Sequence, residues 1–140
     1  MTILGTGIDL VENDRMWEAL TRWGAKFRKR VFLPCEQQYC DAAANPARHY
    51  AGRFAVKEAV AKAFGTGIGP SLGLLDIEVI RHPESGAPSV RLSGKAAELA
   101  ERRGVTGIHA SLSHTHSLAI AHAILVGAAP SGEEVGRSAS

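Results

Sequence analysis

Glu58 and Lys62 stand four positions apart inside the stretch Arg53-Phe54-Ala55-Val56-Lys57-Glu58-Ala59-Val60-Ala61-Lys62-Ala63-Phe64, which is otherwise small, aliphatic or aromatic apart from Arg53 and Lys57. At about 100° per residue the pair shares one side of a helix, opposite Val56, Val60 and Ala63. A solvated Glu–Lys pair at this spacing adds only a few tenths of a kcal/mol to a helix. Here its flanks are Ala51, Phe54, Ala55 and Ala59 rather than polar residues. A charge among apolar neighbours calls for a partner, hydrogen bonds or a metal ion. The stretch therefore carries half of a site and needs a second half from elsewhere. Directly after it comes Gly65-Thr66-Gly67-Ile68-Gly69. Gly65 suits a left-handed helix cap. Three glycines so close together also let backbone N–H groups approach a phosphate. The lysine and hydroxyl spacing of a P-loop is absent.

The elements that must hold these residues can be read in chain order. Thr2 to Val11, rich in Ile, Leu, Gly and Val, predicts a strand whose acidic residue is Asp9, with Glu12 just beyond. Asn13 is the expected cap of a helix through Arg15, Trp17, Leu20 and Trp23, stopped by Gly24. Lys26, Arg28, Lys29 and Arg30 then join Arg15 and Arg22 in a local excess of positive charge, with Phe27 and Phe32 interleaved. Such a run is either a solvated face or a docking surface for an acidic partner. Pro34 suits the first turn of a short helix containing Glu36 and Cys40, and Asn45-Pro46 starts the central helix. Asp76 to His82 and Ser89 to Leu92 alternate as a β-hairpin around a glycine-containing turn. A helix from Ser93 or Gly94 to Gly104 follows, then two strands, Ile108 to Ser113 and Leu118 to Val126.

Composition limits the options. With 140 residues, 45% hydrophobic and 21% charged, the chain suits one soluble globular domain, expected over residues 1–126 with a loose tail over 127–140. The net charge of +2 is too small to define a partner, so its distribution matters more. Cys35 and Cys40 lie about 140° apart on a helix and form neither a metal pair nor a disulfide framework, as suits a cytoplasmic protein. The N-terminal residues lack the pattern of a signal peptide. The run Ala119 to Val126 falls short of the roughly 20 apolar residues of a membrane span, so no membrane association is expected. His109, His114, His116 and His122 gather in the last two strands, but two histidines at i and i+2 without a third spaced ligand are a poor zinc signature. A histidine in the turn Ser113-His114-Thr115 suits either donation to an anion or a structural role.

Three ordered blocks carry a resemblance: Gly7-Ile8-Asp9-Leu10-Val11-Glu12; Arg53-Phe54-Ala55-Val56-Lys57-Glu58-Ala59 with Lys62 and the glycine loop; and Ser111-Leu112-Ser113-His114-Thr115. Together they resemble the holo-(acyl-carrier-protein) synthase family, the short bacterial type of 4′-phosphopantetheinyl transferase, over about residues 3 to 126. The resemblance implies an α+β fold, a small antiparallel sheet packed around a long central helix. It implies transfer of phosphopantetheine from coenzyme A to a serine of apo acyl carrier protein, in support of fatty acid biosynthesis. By the same likeness, Asp9 and Glu58 match metal ligands for Mg²⁺, with Mn²⁺ possible, and Lys62 matches a group acting on the departing phosphate. Cations held by one or two carboxylates with substrate phosphates suit displacement at a diphosphate. The serine's proton has two acceptors open to it, Glu58 and an ordered water.

Arg53 projects about 140° from Glu58, so one subunit does not bring both to the same phosphate. The resemblance implies a homotrimer with coenzyme A between subunits, where Arg53, His114 and Thr115 reach the nucleotide from a neighbour, beside Lys62, Gly65, Thr66 and Gly67. Arg15, Arg22, Lys26 and Arg28 are the expected docking face for the acidic carrier protein. Pro34 in a place often held by threonine, Ala87 in a place often held by lysine, and the length of the tail depart from the pattern, away from the metal ligands. Two other classes compete: a basic nucleic-acid-binding module, for which aromatics are few and the charge low, and a carrier-protein-binding subunit without catalysis. Nucleic acid is not an expected partner.

Overall fold

The computed structural model describes residues 1–128. Strand β1 (Thr2–Glu12) leads into helix α1 (Asn13–Val31), then α2 (Pro34–Asp41) and the central helix α3 (Pro46–Ala63). A hairpin of β2 (Ile77–Arg81) and β3 (Pro88–Leu92), helix α4 (Gly94–Arg102) and strands β4 (Val105–His114) and β5 (Leu118–Gly127) complete the order. The long strands form an antiparallel sheet in the order β1-β5-β4, and the β2–β3 hairpin is a separate two-stranded sheet. This is the expected α+β architecture, with α3 enclosed by the sheet, α1, α2 and the hairpin.

The enclosure explains why α3 is apolar nearly all round. Ala55, Val56, Ala59, Val60 and Ala61 are fully buried, because neighbours press on it from several sides. One part of the core joins α3 to the sheet, the hairpin and α4, while a second joins its first turns to Met16, Leu20, Phe32 and Cys40.

The contact with β1 is made backbone to backbone. A Cβ added at Gly7 would lie 2.0 Å from the Ala59 carbonyl oxygen, and one at Gly5 2.1 Å from that of Ala63. Only glycine permits this approach. With side chains alternating along the strand, Gly7 and Asp9 face α3 while Ile8 and Leu10 face away.

Lys57 sits on α3 where no solvent reaches it. Its Nζ meets Glu36 Oε1 at 2.7 Å, both side chains being 0% exposed. Lys57 also donates to the Leu74 carbonyl at 3.0 Å. Glu36 accepts from the backbone N–H groups of Leu33 and Val79, each at 2.8 Å. One ion pair thus ties α2, α3, β2 and the turn before β2 together, with both Glu36 oxygens bonded and Lys57 shared between Glu36 and the Leu74 carbonyl.

Several sequence expectations change in detail. Glu12, not Asn13, occupies the cap of α1 and makes no side-chain cap bond. The Asn13 amide donates instead to the His116 carbonyl at 3.2 Å, joining the start of α1 to the β4–β5 turn. Gly24, with φ +54°, interrupts the helix as expected, but the basic segment beyond it is helical as well. Strand β4 begins at Val105, earlier than its apolar run suggests, because pairing with β5 continues there past a bulge. Gly127, placed with the tail by composition, closes β5, and residues 129–140 of that tail lie outside the described residues.

Replacing Gly7 by alanine should destabilise the fold by about 1–3 kcal/mol, through overpacking against Ala59. Urea unfolding should show the loss as a lower midpoint with an unchanged slope. A stability equal to that of the wild type would mean that β1 does not rest on α3 in this way.

Candidate functional site

Asp9 and Glu58 meet on one side of α3. Both line a cavity of about 340 Å³ between the end of β1, α1 and α3, with Arg15, Met16, Phe27 and Phe54 among its walls. Lys62 Nζ reaches across to β1, 2.8 Å from Asp9 Oδ1 and 3.1 Å from the Ile8 carbonyl. The helical Glu58–Lys62 pair expected from spacing is therefore not the ion pair formed; Lys62 bridges to Asp9. Glu58 is left without an ion-pair or hydrogen-bond partner among the described residues. Burial, and then the nearby Asp9 carboxylate, push its carboxyl above the usual range, while Lys62 pulls the other way.

Two carboxylates against one lysine leave room for a further positive charge. Among the described residues no three His, Cys, Asp or Glu side chains converge on one point. A cation held by Asp9 and Glu58 would complete its shell with water and ligand oxygens, which suits a hard, oxygen-seeking divalent ion.

The glycine loop is organised differently from the phosphate cradle that its composition suggests. Gly65 and Gly67 have φ +80° and +64°, respectively. Their N–H groups donate to the Lys62 and Ala61 carbonyls at 2.9 and 3.2 Å, closing the last turn of α3. Gly69 donates to Leu72 at 3.0 Å, and the Thr66 hydroxyl donates to the Gly67 carbonyl at 3.0 Å. Arg103, just past the end of α4, further holds the Phe64 carbonyl. The N–H groups of all three glycines are used within the chain, and a helix C-terminus carries partial negative charge. The loop fixes the end of α3, and hence Lys62, rather than presenting glycine N–H groups to an anion.

Arg53 and His114 face the other side of α3, lining a cavity of about 470 Å³ with Tyr39, His49, Arg81 and the β2–β3 turn. Arg53 is only 6% exposed, and its guanidinium lies 4.1 Å from the Tyr39 ring centre. Its Nε and His114 Nδ1 are buried without a hydrogen-bond partner in the structure. Gly52 makes room for the His114 ring, since a Cβ there would stand 2.9 Å from it. Thr115 is not directed to this cavity's chemistry: its hydroxyl oxygen accepts from the N–H groups of Ser117 and Leu118 at 3.3 and 3.0 Å, building the β4–β5 turn.

The basic residues divide. Arg15, Arg22 and Lys26 are exposed along α1, beside Trp17 and Trp23, which are 59% and 56% exposed. Arg28 instead turns inward, 3.5 Å from Asp41 and over the Tyr50 ring at 5.4 Å, so it packs α1 against α2 and α3. Arg15 also borders the cavity holding Asp9 and Glu58, so the docking face and the carboxylates adjoin.

Residues 5–121 match the model of the 4′-phosphopantetheinyl transferase superfamily. A holo-[acyl-carrier-protein] synthase from Syntrophus aciditrophicus is 51% identical over 88% of this chain and 95% of its own length. The chain belongs to the holo-[acyl-carrier-protein] synthase family. Among solved structures, the family member from Neisseria meningitidis aligns with a TM-score of 0.82 at 29% identity, over 89% of this chain and 99% of its own. The Helicobacter pylori member, solved in complex with coenzyme A, aligns at 0.77 with 34% identity, over 86% of this chain and 99% of its own.

Sequence reasoning missed Tyr39 and His49 at the second cavity and the Glu36–Lys57 pair. A signal existed for His49 and for the pair: His49 lies one helical turn before Arg53, and Lys57, on a helix apolar all round, required a buried acid. Tyr39 had no such signal, because its approach to Arg53 depends on how α2 packs.

Burial first, and nearby arginines with it, hold His49 and His114 below the usual histidine range. A histidine whose folded pKa is depressed opposes folding as it takes up a proton, so stability falls as pH drops through and below the unfolded value of about 6.5. Melting temperature should therefore fall from pH 7.5 to pH 5.5, and His49→Gln should reduce that slope. An identical slope in the variant would show that His49 is not buried uncharged.

Proposed function

We propose that the chain transfers the 4′-phosphopantetheine group of coenzyme A to a serine hydroxyl of apo acyl carrier protein, releasing adenosine 3′,5′-bisphosphate in support of fatty acid biosynthesis. The observation that carries this reading is the convergence of Asp9 and Glu58 at one cavity, with Lys62 bonded to Asp9 beside it, in a family member matched nearly from end to end. Asp9 and Glu58 would hold Mg²⁺. When bound, that ion neutralises charge on the diphosphate undergoing attack.

The chain's own residues divide the remaining work. Lys62, half-exposed and held by Asp9 and the Ile8 carbonyl, sits where its ammonium can stabilise or protonate the departing phosphate. The serine oxygen forms the new bond to phosphorus as the bond to the nucleotide's phosphate breaks. Glu58, without a partner among the described residues, would take the serine's proton directly or through a water. The exposed cations of α1 would steer an acidic carrier protein towards the mouth of the cavity, chiefly raising its association rate at low salt.

Mass spectrometry of apo acyl carrier protein incubated with this chain, Mg²⁺ and coenzyme A should show one added phosphopantetheine per carrier. Asp9→Asn and Glu58→Gln should each leave a folded protein and slow transfer by about 10²-fold or more, the scale on which an electrostatic group contributes to a barrier. Chelation by EDTA should abolish transfer, and added Mg²⁺ should restore it. Full turnover in both variants would overturn the assignment of the carboxylates.

The same reading includes a homotrimer in a cytoplasmic setting; among the described residues no helix is long and apolar enough to cross a membrane. Two observations support assembly. The Arg53 and Asp9 cavities lie on opposite sides of α3, so one nucleotide meets both sets of residues only across a boundary between subunits. The sheet face turned from α3 also bares Ile8, Leu10 and Ile120, with Leu10 and Ile120 directly paired in register. Ile120→Glu should give a folded monomer by light scattering with little transferase activity. A fully active monomer would remove the shared site.

A further inference from the structure

Arg53 is a buried guanidinium without a carboxylate in reach among the described residues, which is costly unless an anion arrives. What holds it is aromatic. Its carbon lies 4.1 Å from the Tyr39 ring centre; that ring meets His49 edge-on at 5.7 Å and 75°; and His49 lies 6.5 Å from His114. A guanidinium that rests its flat face on a ring keeps its in-plane N–H donors free. Nε is in fact buried and unpaired, and Arg53 lines the 470 Å³ cavity. Among the described residues the Tyr39 hydroxyl makes no hydrogen bond, so the ring itself is what acts on Arg53.

We infer that Tyr39, braced by His49, is a positioning residue that aims Arg53 at a phosphate oxyanion of the nucleotide, so that α2 as well as α3 sets nucleotide affinity. This rests on the reading of the cavity as a nucleotide-phosphate site. Tyr39 touches neither the reacting atoms nor the anion; it acts through Arg53. The effect belongs to binding and not to the chemical step, because Asp9 and Glu58, with Lys62 bonded to Asp9, lie on the far side of α3. The ring can be changed without emptying the core, since Tyr39 is 37% exposed.

The test is calorimetric titration of the full-length protein with adenosine 3′,5′-bisphosphate, in the wild type and in Tyr39→Phe, Tyr39→Leu, His49→Ala and Arg53→Ala. Tyr39→Phe should bind within about twofold of the wild type, because the ring remains. Tyr39→Leu should bind about 3- to 30-fold more weakly, the range of a desolvated cation–π contact. His49→Ala should move in the same direction by less. In turnover, Tyr39→Leu should raise KM for coenzyme A with kcat unchanged, a split that general loss of structure would not produce. Unchanged binding in Tyr39→Leu alongside weakened binding in Arg53→Ala would overturn the role of Tyr39 alone. Unchanged binding in Arg53→Ala would overturn the phosphate reading of the cavity beneath it.

Discussion

Everything at the first cavity depends on how closely β1 can lie on α3. Two residues without side chains, Gly5 and Gly7, bring the strand's backbone against the carbonyls of Ala63 and Ala59. Because strand residues alternate, Asp9 then points the same way as Gly7, towards the helix turn that carries Glu58 and Lys62. A strand kept farther off by ordinary side chains would lift Asp9 away from Lys62. The 2.8 Å contact between them is thus a consequence of bare backbone two residues earlier.

That arrangement needs α3 itself to stand still, and charge within the core helps to fix it. Lys57 and Glu36 share one bond with each other and spend their remaining capacity on backbone groups of Leu33, Leu74 and Val79. A buried pair is not in itself a source of stability, since desolvation offsets much of the attraction. Its value here is geometric: these bonds tie α2 and β2 to α3 at fixed points. At the other end, the caps from Gly65 and Gly67 and the bond from Arg103 hold the last turn, which carries Lys62.

Most of the architecture was legible because the local signals agreed with one another. The Ile-, Leu-, Gly- and Val-rich run of β1, the Asn45-Pro46 start of α3 and the glycines after it each mark an element that forms where expected. Function was legible for a different reason: three ordered blocks carry the family resemblance, and that resemblance matched Asp9 and Glu58 to the ligands of a cation. What sequence could not supply was the third dimension of each contact. Lys62 was read with Glu58, its neighbour along the helix, whereas the strand brings Asp9 closer. Gly65 and Gly67 were read as donors to a phosphate, whereas their N–H groups close a helix end. Arg28 was counted with the exposed cations, although the bend at Gly24 turns it towards Asp41 and Tyr50. For Lys62 and Arg28 a tertiary partner won over the nearest partner in sequence, and for Gly65 and Gly67 the local helix end took the N–H groups.

The same helix separates two kinds of charge. One side presents Glu58 and Lys62 beside Asp9, a set with surplus negative charge suited to a cation. The other presents Arg53 with His114 and His49, a set with surplus positive charge suited to an anion. Burial raises the cost of both surpluses, and neither can relieve the other, because fully buried Ala55, Val56 and Ala59 lie between them. A nucleotide diphosphate with its bound cation has the charges to answer both, yet it cannot pass through α3. Two copies of the chain, placed so that the anion-seeking side of one faces the cation-seeking side of the next, would let a single ligand satisfy both. The surplus charge that each isolated subunit tolerates would then be the reason the site forms at a boundary.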